Sequence, residues 1–128
     1  MIHEVGVVVT FEAAHSLRGD FGRASGKHGH TYRVEVAVRG AKLKEDGTVC
    51  DLVLLRQAAE GVAEELHYRD LDELDAFSDT NSTAELVAQH FFEQVALTLR
   101  GEPIHAVVVR VWESPSAYAS CEGTLAEV

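Results

Sequence analysis

The 128-residue sequence predicts an α+β fold, in which an antiparallel four-stranded sheet carries two helices on one face. Two observations lead to this prediction. Segments with the two-residue alternation of a half-buried strand occur as a pair near each end of the chain, and two segments with helical apolar spacing lie between these pairs. The order is β-β-α-α-β-β without an internal repeat or a linker, so we expect one domain over residues 1–128.

The first pair of strands is predicted at residues 5–15 and 28–39. Apolar residues occupy every second position in both segments, which is typical of strands with one buried face. Between them, residues 16–27 contain three glycines and little periodicity, so they predict a loop that could fold over a site. The apolar faces of the two strands also carry three histidines: His15, His28 and His30.

Two helices are predicted in the middle of the chain. Asp51 is placed to cap a helix over residues 52–67, and a capping box of Ser82 and Glu85 is expected to begin the second helix. The intervening residues 70–81 are acidic and turn-like. The apolar stripes of the two helices are Leu55, Ala59, Val62 and Leu66, followed by Val87, Phe91, Val95 and Leu99.

The second pair of strands is predicted at residues 104–113 and 118–126, joined by a short turn. The outer strands of such a sheet have open edges unless another subunit pairs with them. We therefore expect a homo-oligomer that assembles by strand pairing.

Composition excludes several classes of partner. Eleven basic and 21 acidic residues give a formal charge of −10, so neither nucleic acid nor an anionic membrane is expected as a partner. The apolar runs are far shorter than a membrane span, and the first residues do not resemble a signal peptide, so a cytoplasmic protein is expected. Cys50 and Cys121 lack C-x-x-C spacing and are interpreted as small packed residues.

The histidines have the spacing of a metal site. On a strand, the side chains of His28 and His30 point the same way, with Cα atoms roughly 6.5–7 Å apart. If the hairpin brings His15 alongside them, three imidazoles can occupy three corners of a zinc tetrahedron and leave the fourth open, as in catalytic zinc sites. The alternative is a set of ordinary polar residues near a sheet edge, and spacing alone leaves both interpretations open.

Five motifs make the sequence similar to a known family. The motifs FEAAHSL, HGHTYRVEV, LHYRDLDEL, NSTAELVA and VWESPSA occur in this order. Over residues 5–123 they resemble the 6-pyruvoyltetrahydropterin synthase and 6-carboxytetrahydropterin synthase family. The resemblance implies the tunnelling fold, in which subunits join their sheets into barrels, commonly as two stacked trimers. A hexamer is the corresponding expectation.

The resemblance also implies a ligand set and a substrate. It assigns zinc to His15, His28 and His30, with the metal polarising side-chain oxygens of dihydroneopterin triphosphate. Glu113 falls at the position of the glutamate that binds the pterin ring, and Thr83 matches a threonine beside it. From the residues alone, Glu113 could instead face solvent at a strand end, and Thr83 could belong to the first helical turn.

Three positions depart from the family pattern. Ala24 stands where the family usually has a catalytic cysteine, while His67 and Tyr68 replace the usual Asp-His pair. His67 and Tyr68 are titratable, so they are candidates for a different acid/base pair. They are equally well interpreted as surface residues at the end of a helix.

The resemblance implies a zinc-dependent lyase that processes pterins. The most economical activity is that of 6-carboxytetrahydropterin synthase, in the route to queuosine, on dihydroneopterin triphosphate or a related pterin. The alternative is a catalytically altered paralogue that binds zinc and a pterin as a sensor or metal-handling protein, without turnover.

Overall fold

One sheet contains every strand of the structure, a computed structural model that describes residues 1–127. The strands are β1 (His3–His15), β2 (His28–Gly40), β3 (Arg69–Asp70), β4 (Ala106–Ser114) and β5 (Ala117–Gly123). The helices are α1 (Leu52–Leu66) and α2 (Ala84–Thr98). The strand order across the sheet is β3-β1-β2-β4-β5.

Both predicted hairpins are present in the sheet. β1 and β2 pair antiparallel along their whole length, from His3 opposite Gly40 to His15 opposite His28. β4 pairs antiparallel with both β2 and β5. The α+β fold predicted from the alternating segments is therefore present, with the two predicted hairpins joined at the centre of the sheet.

The prediction of a four-stranded, wholly antiparallel sheet is wrong in one respect. A fifth strand, β3, pairs parallel with β1 at Ala13 and Ala14. Two residues are too few to show a period-two pattern, and β3 begins an acidic segment that reads as a turn. The short strand covers one end of the outer edge of β1 and leaves the rest of that edge open.

The helices begin at capped N-termini, but one cap differs from the prediction. The Asp51 carboxylate accepts hydrogen bonds from the backbone N–H groups of Val53 and Leu54, as expected. The second helix is capped by Thr83, whose hydroxyl accepts from the N–H of Leu86. The predicted capping box of Ser82 and Glu85 is wrong, because the buried Ser82 hydroxyl is instead bound to a carboxylate outside the helix.

Both helices pack on one face of the sheet, as predicted. α1 lies against β1, and α2 lies against β4 and β5. In the core between the layers, the ring of Phe11 stacks on Tyr32 at 4.7 Å and on Phe91 at 5.9 Å between centroids. The alternate residues of β1 lie on the other face and are mostly exposed, including Val8. Across residues 1–127, no helix is long and apolar enough to cross a bilayer.

Candidate functional site

The three histidines converge at one end of the β1–β2 hairpin. His15 pairs directly with His28, and His30 lies two residues further along the same face of β2. The ring centroids are separated by 4.5 Å for His15 and His28, 4.8 Å for His28 and His30, and 5.1 Å for His15 and His30. One ring nitrogen from each lies within 4.8 Å of the other two. These residues could therefore hold one metal ion.

The hydrogen bonds of the rings leave nitrogen lone pairs free for a metal. Nδ1 of His15 lies 2.7 Å from the carbonyl of Ser82, and Nδ1 of His28 lies 2.7 Å from the carbonyl of Gly26. Because a carbonyl can only accept, each neutral ring must carry its proton on Nδ1. The buried Nε2 atoms of His15 and His30 have no hydrogen-bond partner. This donor set fits zinc, which binds neutral imidazoles that are oriented by a second hydrogen bond.

Burial favours the neutral form of the ring that a metal needs. Desolvation lowers the pKa of His30, and the nearby His15 and His28 act in the same direction. The charge of Glu113 and a hydrogen bond with the Glu113 backbone oppose that shift without cancelling it. His30 therefore resists protonation in the folded protein more than a free imidazole does.

Glu113 and Thr83, the predicted ligand-binding residues, line one pocket of about 200 Å³. Leu17, from the loop after β1, and Tyr118, from β5, contribute to the same lining. Glu113 also makes the backbone hydrogen bond to His30, so the pocket lies beside the histidines. The structure thus brings the predicted substrate residues and the predicted metal ligands into one region.

His67 and Tyr68 lie at the outer edge of β1. Nδ1 of His67 accepts from the N–H of Glu12 at 3.1 Å, and the N–H of Tyr68 donates to the Glu12 carbonyl at 2.6 Å. The two rings are 3.9 Å apart between centroids. Tyr68 lines a groove with Glu12 and Thr31 on the exposed face of the sheet, opposite the imidazole rings, and His30 borders that groove; His67 lies outside that lining. A catalytic role for the pair stays a prediction, and Tyr68 is the member that reaches the groove.

Tyr68 also has an unusual backbone conformation. Its φ angle is 58°, in the left-handed region that aromatic residues rarely adopt, and 77% of its surface is exposed. Such a conformation costs roughly 1–3 kcal/mol and is often found at functional sites. The ring contacts His67 but is otherwise largely exposed, so core packing does not explain this conformation.

Ala24 lies in a short 3-10 turn, Gly22–Ser25, and brings no titratable side chain to the loop. Its carbonyl accepts a hydrogen bond from the N–H of Leu17, which closes the loop on itself. Burial raises the pKa of the thiols of Cys50 and Cys121, to about 11 for Cys121. Neither cysteine therefore offers a reactive thiolate to replace the family cysteine that is absent at Ala24.

The Asp72 carboxylate, for which the sequence predicts no role, connects the segments around the histidines. Asp72 accepts hydrogen bonds from Ser16, Lys27 and Ser82. Burial alone would raise its pKa, but the bonds from Ser82, Ser16 and Lys27 outweigh it and hold that pKa well below the usual range. Asp72 was missed because it stands in an acidic segment, where one more carboxylate resembles a solvated turn.

The comparison with known protein families identifies the domain. The family model described as 6-pyruvoyl tetrahydropterin synthase matches residues 4–124. The chain belongs to this family. The match spans both hairpins and both helices, so it includes the histidine trio, Glu113 and the departures at Ala24, His67 and Tyr68.

Relatives of the chain are named for different enzymatic activities. The chain is 31% identical to 6-carboxy-5,6,7,8-tetrahydropterin synthase of Bacillus subtilis, with 83% of this chain and 75% of the relative covered. It is also 31% identical to dihydroneopterin monophosphate aldolase of Pyrococcus furiosus, with 81% and 83% covered. Similar identity to relatives with different reactions means that family membership indicates pterin chemistry without selecting the reaction.

A solved structure confirms the predicted tunnelling fold. The structure of Caenorhabditis elegans 6-pyruvoyl tetrahydropterin synthase superimposes with a TM-score of 0.83 at 27% sequence identity, and 97% of each chain is covered. The fold resemblance inferred from the five sequence motifs therefore extends over nearly the whole chain.

Proposed function

We propose that this chain is a zinc-dependent pterin-processing lyase similar to 6-carboxytetrahydropterin synthase, acting on dihydroneopterin triphosphate or a related pterin. One observation carries the proposal. Three imidazoles with nitrogen atoms available to a metal lie beside a pocket that contains Glu113 and Thr83. A metal centre next to a carboxylate-lined pocket is the arrangement needed to hold a ring and act on its side chain.

His15, His28 and His30 would hold the ion, and zinc there would supply Lewis-acid polarisation of a substrate oxygen. The Glu113 carboxylate would accept hydrogen bonds from the ring N–H and amino groups of the pterin, which fixes the ring in the pocket. The hydrogen bond between His30 and the Glu113 backbone joins the two halves of the site through adjacent strands. A ring bound by Glu113 would thereby present its side chain toward the histidines.

Residue 24 is an alanine, so proton transfer requires a group from another residue. Tyr68 stands in the LHYRDL segment at the position where the family pattern has a histidine, so its exposed hydroxyl is our candidate for moving a proton at the substrate side chain. The neighbouring His67 is bound through Nδ1 to the strand edge and would hold the tyrosine ring in place. This division of roles replaces the thiol and the Asp-His pair implied by the family pattern.

We further propose a cytoplasmic homo-oligomer, a hexamer of two stacked trimers. The pocket of about 200 Å³ is smaller than ordinary ligand sites of roughly 300–1,000 Å³, which supports completion of the site by a second subunit. The outer edge of β5 is unpaired within the described chain, and β3 covers two residues of β1. Native mass spectrometry should give six chains per particle, and a monomer would contradict this assembly.

The second candidate is a protein that binds zinc and a pterin without turnover, as a sensor or in metal handling. It is favoured by the side chains at Ala24, His67 and Tyr68, since three groups of the family's usual proton-transfer set are replaced. The two candidates predict the same zinc content and the same requirement for Glu113 in pterin binding. They differ in whether a product forms.

The deciding experiment is a turnover assay on zinc-loaded protein. Dihydroneopterin triphosphate and dihydroneopterin monophosphate are incubated separately with the protein, and the pterins are resolved by chromatography. A new pterin product that disappears when zinc is removed supports the enzyme. Stoichiometric pterin binding with no product from either compound contradicts the enzyme and supports the binding protein.

A further inference from the structure

We propose that Asp72 is a positioning residue for the metal site, acting through Ser82 to fix the tautomer and orientation of His15. This inference rests on the proposed zinc site and adds a residue to it. Asp72 lies at the start of the acidic segment after β3 and does not contact the three imidazoles through any described hydrogen bond. Its influence on the metal site must therefore pass through the groups that it binds.

The Asp72 carboxylate connects three separate segments of the chain. Its Oδ1 accepts from the Ser82 hydroxyl at 2.6 Å. Its Oδ2 accepts from the Ser16 N–H at 2.8 Å, from the Ser16 hydroxyl at 3.0 Å and from Nζ of Lys27 at 3.0 Å. Ser16 follows His15 directly and Lys27 precedes His28, so this carboxylate ties together the ends of β1 and β2 where the ligands stand.

Ser82 transmits this constraint to His15. Both residues are buried, with 0% of Ser82 and 1% of His15 exposed. The Ser82 carbonyl lies 2.7 Å from Nδ1 of His15, and the Ser82 hydroxyl oxygen lies 3.3 Å from the same atom. Because the hydroxyl donates its hydrogen to Asp72, its oxygen faces Nδ1 as an acceptor. Both Ser82 groups thus hold the proton on Nδ1 and leave Nε2 with a lone pair for the metal.

Asp70 fixes the position of Asp72. The Asp70 carboxylate accepts from the N–H of Asp72 at 3.0 Å and from Nζ of Lys27 at 2.6 Å. The resulting network runs from β3 to Asp72, to Ser82 and then to His15. It resembles the carboxylate-supported histidines of many metal sites, with a serine inserted between carboxylate and ring.

The test compares zinc affinities of the full chain and its variants. Asp72→Asn replaces one acceptor oxygen with an N–H₂ group that faces donors, so we expect a rise in zinc Kd of about 10- to 100-fold. Ser82→Ala removes the hydroxyl but keeps the carbonyl, so we expect a smaller rise. Zinc is titrated against a competing chelator, and Co²⁺ is substituted so that its visible spectrum reports the ligand geometry.

Two controls separate positioning from general stability. Asp75→Asn makes the same chemical change at an exposed carboxylate in the same segment, and Val95→Ala opens a cavity in the core of α2. We expect both to keep the zinc Kd and the Co²⁺ spectrum of the wild type, although Val95→Ala lowers the melting temperature of the metal-free protein. Asp72→Asn should change both metal readouts even at equal melting temperature. If it does not fold, Ser82→Ala provides the same comparison.

Wild-type affinity and an unchanged Co²⁺ spectrum in both Asp72→Asn and Ser82→Ala would overturn this inference and leave the zinc site standing. The inference would also be overturned if Asp72→Asn and Ser82→Ala lost no more zinc affinity than Val95→Ala does at the same stability. A wild-type chain that binds neither zinc nor Co²⁺ would instead overturn the proposed function and this inference with it.

Discussion

His15 and His28 are direct partners across β1 and β2, and their rings lie 4.5 Å apart between centroids. Opposite residues in an antiparallel pair point to the same face of the sheet, so the strand register itself brings the two imidazoles together. His30 joins them two residues along β2. A site built on paired strands holds its ligands in place before the metal arrives, which reduces the reorganisation needed for binding.

Replacing the pocket carboxylate should weaken pterin binding. Glu113→Gln removes the charge and places an amide N–H₂ where donors of the ring are expected. A hydrogen bond to a charged group contributes about 1.5–3 kcal/mol, so we expect pterin Kd to rise about 10- to 150-fold with zinc content unchanged. Calorimetric titration with neopterin measures this, and Glu45→Gln, an exposed loop change, serves as the control. Equal affinity in Glu113→Gln and the wild type would remove Glu113 from the site.

Loss of the Tyr68 hydroxyl should slow turnover without preventing substrate binding. Tyr68→Phe keeps the ring but cannot transfer a proton, so we expect kcat to fall by about 10²- to 10⁴-fold at similar KM. Lys42→Ala, a change at an exposed loop residue outside the proposed site, is the control. His67→Gln should have a smaller effect, because its contact with Glu12 is structural. Unchanged kcat in Tyr68→Phe would show that Tyr68 is a surface residue, the alternative that the sequence left open.

The Thr83 hydroxyl should stabilise the N-terminus of α2. Thr83→Ala removes the hydroxyl that accepts from Leu86, so we expect a loss of about 1 kcal/mol in the free energy of unfolding. Thr83→Ser keeps the hydroxyl and should restore most of that loss. Urea denaturation of the metal-free protein measures both variants. If Thr83→Ala leaves the unfolding free energy unchanged, the hydroxyl does not stabilise the helix.

Acid should destabilise the metal-free protein through His30. The folded-state pKa of His30 is lowered from 6.5, so the unfolded chain takes up this proton at a higher pH than the folded chain. The corresponding stability is present above pH 6.5 and is lost as pH falls toward the folded-state value. Urea denaturation at about pH 7.5 and about pH 5.5 should show a larger drop for the wild type than for His30→Gln. Equal drops would contradict the burial effect on His30.

The convergence of the histidines was predictable because strand periodicity is regular. His28 and His30 are two residues apart, and His15 occupies an odd position with the apolar residues of β1, so one hairpin register was enough to bring them together. Asp51 was likewise predictable, because it stands directly before the segment that carries the first apolar stripe. In both cases a pattern within a short stretch of sequence was enough to predict where the side chain lies.

Other features depended on tertiary contacts that no local pattern contains. Ser82 and Thr83 are adjacent hydroxyl residues, and either could cap α2 on sequence alone. Ser82 is drawn away from the cap because it satisfies both Asp72 and His15, which lie 10 and 67 residues distant. β3 escaped detection for a similar reason, since its two residues are fixed by pairing with β1 rather than by their own periodicity.

The zinc content of the purified protein tests the central claim most directly. Metal-free wild type, His28→Ala and His105→Ala are equilibrated with zinc at neutral pH, desalted and analysed for metal; His105 is exposed and lies outside the trio. The account predicts about one zinc per chain for the wild type and for His105→Ala, and little zinc in His28→Ala, since a three-histidine site loses one of its ligands. A metal-free wild type, or equal zinc in His28→Ala, would contradict it.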